Sequence, residues 1–317
     1  MWIMELKCPG IGQKVKGGNV NLAIVYDGSI RDIGTAFHIR FAAAQHFGKE
    51  LEWYTEDPTA EKGGIASGHD FYIHVDDGRD DFDCTNIPHP WGYWAVDSHL
   101  GPDIRIAKAK LADVVWCAQK PFVEVLAAHG VKAKWLPLAC EPLLHCTAEE
   151  LAARENREVA LPDKDLVFVG HLQSPKFSNR VEFLDRLFKA FPNSWLAYGV
   201  FHEDMARTYH RGRLGVNHAV RDDLNMRFFE LASMKVPQVA PEFMVGLSDL
   251  GVPYGEFFAP YLDVDDAEDS IRLMLDAPET RKAMAERAFE WVRASHTYRH
   301  RLCTMLEDVE RFLQTSR

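Results

Sequence analysis

The chain of 317 residues lacks the usual signs of a membrane or secreted protein. No stretch approaches the roughly 20 consecutive apolar residues of a membrane-spanning helix, and the first residues carry no basic cluster followed by an apolar run. Its six cysteines include no Cys-x-x-Cys pair, which argues against a zinc ribbon or a disulfide framework and indicates reduced thiols. We therefore expect a cytoplasmic protein.

Negative charge exceeds positive charge in the sequence. Lysine plus arginine number 36 against 47 aspartates plus glutamates, and this net charge of −11 has the wrong sign for a partner bound through its phosphate backbone. No Gly-x-Gly-x-x-Gly follows Tyr26 or Val169, and Gly-x-x-x-x-Gly-Lys is absent, so the signatures of redox dinucleotide-binding and P-loop proteins are missing. Nucleic acid is not an expected partner.

Short apolar runs alternate with amphipathic segments of helical length, a pattern typical of α/β proteins with parallel sheets. The predicted strands cover residues 22–26, 51–54, 71–75, 114–118 and 134–136 in the first half, and 166–169, 194–198, 214–216 and 236–240 in the second. The length favours two domains, at roughly 150 residues each. We place them at 1–155, with an irregular arm at 1–20, and at 163–295.

The end of the chain predicts a helix with one continuous apolar face. Thr297 is its expected N-cap. Apolar side chains then recur at spacings of three and four, at Tyr298, Leu302, Met305, Leu306, Val309, Phe312 and Leu313. Because such a stripe needs a partner surface, we expect residues 296–317 to pack on the first domain.

Residues 221–237 combine a polar loop that ends in an aspartate cap, a helix and a strand, and offer a candidate anion site. A helix N-terminus presents unpaired N–H groups and a positive dipole end, which suit a diphosphate. Arg227 and Glu230 are three residues apart and share one helix face, where the carboxylate can accept hydrogen bonds from ribose hydroxyls. The alternative interpretation is a surface helix with one ion pair between these two side chains.

A second candidate follows the predicted strand that ends at Val169. Gly170 and His171 come next, with Lys176 and Arg180 shortly after. Glycine at the carboxyl end of a parallel strand lets a ligand approach the backbone, at the edge where open sheets bind their ligands. The same glycine also suits an ordinary tight turn.

Residues 88–99 concentrate prolines, aromatic rings, histidines and an aspartate. Aromatic faces are common platforms for sugars or bases, and Asp97 and His99 have the chemistry of a general base or its orienting partner. In the alternative interpretation the three aromatic rings are core residues of a large loop, and Asp97 caps the helix that begins near Asp103.

Two acidic runs have the Asp-x-Asp spacing that can hold a divalent cation. The run at residues 76–83 fits either a solvated loop or a metal contact. The second run, Asp263, Asp265 and Asp266, introduces an amphipathic helix and is interpreted as a cap and a solvated turn.

These segments together resemble the CgeB-like glycosyltransferases, the spore-maturation-type group. The similarity covers most of residues 90–302. It lies in the segments 92–99 (Gly-Tyr-Trp-Ala-Val-Asp-Ser-His), 118–120 (Ala-Gln-Lys), 135–140 (Trp-Leu-Pro-Leu-Ala-Cys), 214–217 (Leu-Gly-Val-Asn), 222–231 (Asp-Asp-Leu-Asn-Met-Arg-Phe-Phe-Glu-Leu) and 295–301 (Ser-His-Thr-Tyr-Arg-His-Arg).

The resemblance implies a GT-B architecture, in which two Rossmann-like domains face each other across a cleft and the C-terminal helix crosses back to the first. It implies a metal-independent enzyme, without a required cofactor, that moves a sugar from a nucleoside-diphosphate donor to a hydroxyl acceptor. Asp97 and His99 are the catalytic candidates, and Glu230 matches the ribose-binding glutamate. The expected donor site comprises Gly170, His171, Lys176, Arg180, Asn217, Leu224, Asn225, Met226, Arg227 and Glu230.

Other functions fit the same architecture, because a fold does not fix a reaction. A GT-B-like protein can hold a nucleotide or sugar without transferring it, and an epimerase or hydrolase can act on a nucleotide sugar alone. The sequence leaves open the sugar, the base, the acceptor and whether the protein forms an oligomer.

Overall fold

A computed structural model describes residues 20–28, 32–55, 64–76, 80–98, 101–172, 178–219 and 223–316. The chain divides into two compact units. Unit 1 comprises Met1–Pro137 with Tyr298–Arg317, and unit 2 comprises Leu138–Thr297. No described helix has the length and apolar character needed to cross a membrane.

Unit 1 is built on a six-stranded parallel sheet with the order β2-β1-β3-β4-β5-β6. Its strands are β1 (Leu22–Tyr26), β2 (Glu52–Thr55), β3 (Phe71–Asp76), β4 (Trp91–Ala95), β5 (Val114–Cys117) and β6 (Ala133–Trp135), and its first helices are α1 (Thr35–Phe47), α2 (Pro102–Ala109) and α3 (Lys120–Ala128). Strands β1, β3 and β4 are buried along their whole length, as expected for a parallel sheet covered on both faces.

Unit 2 contains a five-stranded parallel sheet with the order β11-β10-β9-β7-β8. Its strands are β7 (Lys164–Val169), β8 (Trp195–Ala197), β9 (Gly212–Val216), β10 (Gln238–Pro241) and β11 (Ala259–Tyr261). Its helices are α4 (Ala148–Arg154), α5 (Ser178–Ala190), α6 (His202–Tyr209), α7 (Met226–Ser233), α8 (Val264–Asp276) and α9 (Pro278–Ser295).

The strand order determines where each sheet can bind a ligand. In unit 2 the chain runs outward from β7 to β8 and then returns to β9 on the other side of β7. Open α/β sheets bind ligands outside the carboxyl ends of the strands at such a reversal. The carboxyl ends of β7 and β9 therefore flank the expected crevice, and β1 and β3 play the same part in unit 1.

The last helix, α10 (Tyr298–Thr315), belongs to unit 1 and packs on α1 and β5. The ring of Tyr298 stacks on His38 with 4.9 Å between centroids, and Trp116 donates from Nε1 to Asp308 at 2.9 Å. Of the seven apolar side chains in the predicted stripe, Phe312 and Leu313 are only half-buried, and the other five are buried.

The structure adds two strands that the sequence pattern did not predict. The segment interpreted as a large aromatic loop contains β4, in which Trp91, Tyr93 and Trp94 are fully buried. Gly92 is needed there because a Cβ atom would lie 2.5 Å from the ring of Trp116 on β5. Strand β11 is three residues long and lies at the sheet edge, where Pro260 is tolerated.

The division between the units lies before the polar segment that suggested a boundary near residues 155–163. Thr147 caps α4 in a reciprocal pair with Glu150, and Leu151 is buried in the same core cluster as Val167. Residues 138–155 therefore pack with unit 2. The expected arm at 1–20 lies outside the described residues except for Val20.

The cysteines differ in part from the prediction of reduced thiols. Cys84, Cys117, Cys140 and Cys146 are buried free thiols, which confirms the prediction for these four. Cys303 is disulfide-bonded, so the prediction is wrong there.

Candidate functional site

The guanidinium group of Arg227 lies at the carboxyl end of β7. Its Nη2 donates to the carbonyl oxygen of Val169 at 2.5 Å, and its central carbon is 4.5 Å from the centroid of the Phe168 ring. A Cβ atom at Gly170 would meet Nη2 at 2.7 Å, so the approach of this side chain requires glycine. Among the described residues no carboxylate pairs with Arg227, and the alternative of an Arg227–Glu230 ion pair is not formed.

A second guanidinium group, Arg180 on α5, approaches the same strand end. Its Nη1 donates to the carbonyl oxygen of His171 at 3.4 Å, and its carbon lies 5.8 Å from the Phe168 ring centroid. Burial, together with the like charge of Arg227, lowers the pKa of Arg180 to about 10. Arg180 is buried and Arg227 is half-buried, and the charge of Asp223 only partly offsets the effect of Arg227 on Arg180. Two cations near one strand end favour an anionic ligand, because it would relieve their repulsion.

The N-terminus of α7 is capped by Asn225, not by the aspartate expected at the end of the loop. Its Oδ1 accepts from the backbone N–H of Phe228 at 3.2 Å, and its Nδ2 donates to Oδ1 of Asn217 at 2.8 Å. Asn217 follows β9 and is fully buried, and its own Nδ2 has no hydrogen-bond partner within the described part of the chain. An unpaired buried donor at a strand end is a feature expected of a ligand site before its ligand is bound.

Glu230 lies one turn further along α7 and is 5% exposed. Burial raises the pKa of its carboxyl to about 7, although the positive charge of Arg227 opposes this shift. Its Oε1 is 3.4 Å from Nε2 of His145, a residue that the sequence interpretation did not place in the site. Glu230 is thus a carboxyl group that gains or loses a proton near neutral pH.

An aromatic cluster beside the two arginines was missed by the sequence analysis. The rings of Phe183 and His218 stack with 4.1 Å between centroids. Tyr261 donates its hydroxyl proton to the carbonyl oxygen of Asn217, so it must accept from Nδ1 of His218 at 2.8 Å. Burial and the charges of Arg180 and Arg227 lower the pKa of His218 to about 4, which keeps the imidazole neutral.

Phe183, His218 and Tyr261 line a cavity of about 420 Å³ at the carboxyl edge of the second sheet. These three residues come from separate parts of the sequence, and no local motif unites them. The signal available in the sequence was the pair Asn217-His218, which directly follows an apolar strand pattern.

In unit 1, Asp97 follows β4 with a φ of +53°, a left-handed conformation that is uncommon outside glycine. The next residue, Ser98, donates from its backbone N–H and its hydroxyl to Oε1 of Gln119, at 3.2 and 2.9 Å. Asp97 does not cap α2, because the N-cap of that helix is Gly101. Asp97 lies two residues beyond the carboxyl end of β4.

The acidic run at residues 76–83 is partly described, since residues 77–79 lie outside the described ranges. Asp76 is fully buried and pairs with Lys108 at 3.3 Å and with Arg105 at 3.4 Å. Asp80 also pairs with Arg105. A metal ion would have to displace these cations. Asp263 caps α8 by accepting from Asp266, as interpreted from the sequence.

Asp97 lies apart in unit 1, and the other predicted site residues fall into three groups. One group surrounds the ends of β7 and β9, and it comprises Gly170, His171, Arg180, Asn217, Asn225 and Arg227. Leu224 is buried before α7, Met226 is its first residue, and Glu230 lies deeper in the same unit. Lys176 and His99 lie outside the described residues.

Residues 170–307 match the model of a family described as glycosyl transferase-like, a segment that begins at Gly170 and includes every described residue of the predicted donor site. No curated protein matches the chain.

Solved structures of similar fold cover nearly the whole chain at low sequence identity. Sucrose-phosphate synthase from Thermosynechococcus elongatus has a TM-score of 0.65 and 13% identity, covering 93% of this chain and 99% of its own. HepE from Anabaena, solved with UDP and glucose, has a TM-score of 0.65 and 11% identity, covering 92% and 100%. An alpha-glucosyltransferase in complex with UDP-glucose and DNA has a TM-score of 0.63 and 9% identity, covering 92% and 99%. The chain therefore has the GT-B fold of glycosyltransferases, with a glycosyl transferase-like segment at residues 170–307.

Proposed function

We propose that this protein transfers a sugar from a nucleoside-diphosphate donor to a hydroxyl acceptor. The observation that carries the proposal is the position of Arg227, a cation without a carboxylate partner among the described residues, against Gly170 at the end of β7. This is the strand reversal at which open α/β sheets bind ligands. The glycosyl transferase-like match across the same residues supports sugar transfer over other uses of a diphosphate site.

In the proposed donor complex, the diphosphate lies against Arg227, Arg180 and the N-terminus of α7. Cleavage of the sugar–phosphate bond places negative charge on the departing diphosphate. Preorganised cations and helix N–H groups stabilise that charge without reorganising during the reaction. Lys176, as the resemblance implies, would add a third cation.

Glu230 is the proposed ribose ligand. An ionised carboxylate accepts hydrogen bonds from both ribose hydroxyls, whereas a protonated carboxyl can accept fewer and must itself donate. Because burial raises the pKa of Glu230 to about 7, the fraction available as carboxylate grows from pH 6 to 8. Donor binding is then expected to strengthen over that range.

Asp97 in unit 1 is the proposed catalytic base, with His99 as the second candidate from the sequence. Its left-handed backbone conformation is of the kind that persists where surrounding structure holds it, often at functional sites. As general base it would take the proton of the acceptor hydroxyl as that oxygen attacks the sugar carbon. We further propose that transfer needs no metal ion, that the protein is cytoplasmic, and that it belongs to the CgeB-like subgroup.

The test is a measurement of released nucleoside diphosphate from a panel of UDP-, GDP-, ADP- and dTDP-sugars, with and without a panel of hydroxyl acceptors. Acceptor-dependent release, abolished in Asp97→Asn and Arg227→Met, is the expected result. Binding of the diphosphate without any turnover would identify a non-catalytic binding protein. Release that does not depend on acceptor, or conversion of the sugar without release, would identify a hydrolase or an epimerase.

A further inference from the structure

Two asparagine side chains form a directed hydrogen-bond relay from the end of α7 to the end of β9. Asn225 caps α7 through Oδ1, which accepts from the backbone N–H of Phe228 at 3.2 Å. A backbone N–H can only donate, so the amide oxygen of Asn225 must face it. The NH₂ group of Asn225 is therefore directed at Asn217, and it donates to Oδ1 there at 2.8 Å.

The hydrogen bond from Asn225 also sets the orientation of the Asn217 amide. Because Asn225 presents a donor, Asn217 must present its oxygen to it, and its own NH₂ group faces the other way. The backbone of Asn217 is also held, since its N–H donates to the carbonyl oxygen of Val239 at 2.9 Å and its carbonyl oxygen accepts from Tyr261 at 3.0 Å. The Asn217 side chain can therefore exchange the positions of its oxygen and its NH₂ group only by rotating its amide.

The group directed away from the relay has no protein partner. Nδ2 of Asn217 is buried and makes no hydrogen bond in the described part of the chain. A buried amide donor without an acceptor costs free energy, so a ligand oxygen that meets it gains from the pairing. Asn217 directly follows β9, and Asn225 is two residues before Arg227, so the relay lies beside the proposed diphosphate site.

We propose that Nδ2 of Asn217 donates a hydrogen bond to a phosphate oxygen of the nucleoside diphosphate, and that Asn225 is the positioning residue that directs this amide. The inference rests on the proposed function, since it takes the donor diphosphate as the ligand. Phosphate oxygens only accept hydrogen bonds. An Asn217 amide turned the other way would place its oxygen against them and repel the ligand.

The decisive variant is Asn225→Asp. It keeps an oxygen for the N–H of Phe228, so the helix cap remains, but it replaces the NH₂ group with a second oxygen. Asn217 must then rotate its amide to donate to the new carboxylate, and its oxygen turns toward the ligand. We expect the affinity for UDP, measured by calorimetry, to fall at least tenfold while the melting temperature changes little.

The added negative charge of Asn225→Asp would by itself weaken UDP binding. A double-mutant cycle separates this effect of charge from the effect of the rotated Asn217 amide. In an Asn217→Leu background there is no amide to rotate, and Asn225→Asp can act through charge alone. We expect its effect on UDP affinity to be at least threefold smaller there than in the natural background. Equal effects in the two backgrounds would overturn the relay. Asn225→Ser, an uncharged cap without the NH₂ group, should cost only two- to fivefold.

A second measurement does not need the double variant to fold. It follows the NMR signal of the Asn217 side-chain amide in protein labelled with ¹⁵N-asparagine. In the natural sequence this signal should shift on addition of UDP, and in Asn225→Asp it should not. A signal insensitive to UDP in the natural sequence, while UDP binds, rejects the proposal. If no nucleoside diphosphate of the UDP, GDP, ADP and dTDP panel binds at all, the proposed function itself fails, and the relay proposal fails with it.

Discussion

Arg227 donates from Nη2 to the carbonyl oxygen of Val169, across 58 positions of sequence, and its guanidinium group lies over the ring of Phe168. These contacts hold a cation at the carboxyl end of β7 without neutralising it. The guanidinium group packs on an aromatic ring, and its positive charge remains available to a ligand. The same contacts suit the glycine at position 170, since a Cβ atom there would lie 2.7 Å from Nη2 of Arg227 and 2.9 Å from the ring of Phe168.

Replacing Arg227 with methionine should weaken UDP binding by about 1.5 to 3 kcal/mol, the usual contribution of a hydrogen bond to a charged group. Arg213→Met is the matched control, because Arg213 is on β9 but pairs with Asp165 and is exposed. Calorimetry at 50 and 200 mM salt should show a smaller salt dependence for Arg227→Met than for the natural protein. If both variants bind UDP equally well, the diphosphate does not contact Arg227.

Glu230→Ala should weaken UDP binding by about 1.5 to 3 kcal/mol at pH 8, where the carboxylate is ionised. The loss should shrink toward pH 6, since the pKa of Glu230 is raised to about 7. Glu290→Ala, on an exposed face of α9, serves as the control and should bind UDP as the natural protein does. An unchanged affinity in Glu230→Ala would remove the ribose assignment.

The same carboxyl group should make folding stability depend on pH. Its pKa rises from an ordinary value of 4.5 to about 7 on folding, so between these values the folded protein binds a proton that the unfolded chain has released. The contribution of Glu230 to the free energy of unfolding therefore falls as pH rises from 4.5 to 7, and it stays constant above pH 7. At about 1.4 kcal/mol per pH unit the loss is roughly 3 kcal/mol.

Thermal unfolding from pH 5 to 8 tests this slope against Glu230→Gln, which cannot ionise. The variant should lack this loss of stability, so its melting temperature relative to the natural protein should increase with pH. Parallel pH profiles would show that Glu230 keeps an ordinary pKa in the folded protein.

Transfer activity should survive a metal chelator. The one acidic run that suggested a metal contact has Asp76 and Asp80 engaged with Arg105 and Lys108. Sugar transfer measured in EDTA and in added Mg²⁺ or Mn²⁺ should differ by less than twofold. Activity that disappears with EDTA and returns with either metal would contradict a metal-independent mechanism.

Helix α10 should be needed for the stability of unit 1. Leu302→Ala should lower the free energy of unfolding by about 2 to 5 kcal/mol, because Leu302 is fully buried, whereas Gln314→Ala, at an exposed position, should change it little. Truncation before Thr297 should expose surface that binds a hydrophobic dye. A truncated protein with an unchanged melting temperature would show that the helix is dispensable.

Most strands of both sheets could be predicted from the sequence, because fully buried parallel strands appear as short apolar runs with helices between them. Strand β4 could not, since its Gly92 and the flanking prolines are typical of a loop. The reason for that glycine is the ring of Trp116 on the neighbouring strand. Strand β11 could not be predicted either, because it is only three residues long and contains a proline. Both features are tolerated at the edge of a sheet.

The sequence by itself determined the α/β class and the apolar face of α10, because these depend on local periodicity and spacing, and it supplied the residue types of the proposed donor site. Only the tertiary structure decided which groups meet. Tyr261 reaches the carbonyl oxygen of Asn217 from 44 positions away, and His145 meets Glu230 from another part of the chain. Strand order brings such residues together, and the burial that results raises the pKa of Glu230, neither of which is visible in a linear pattern.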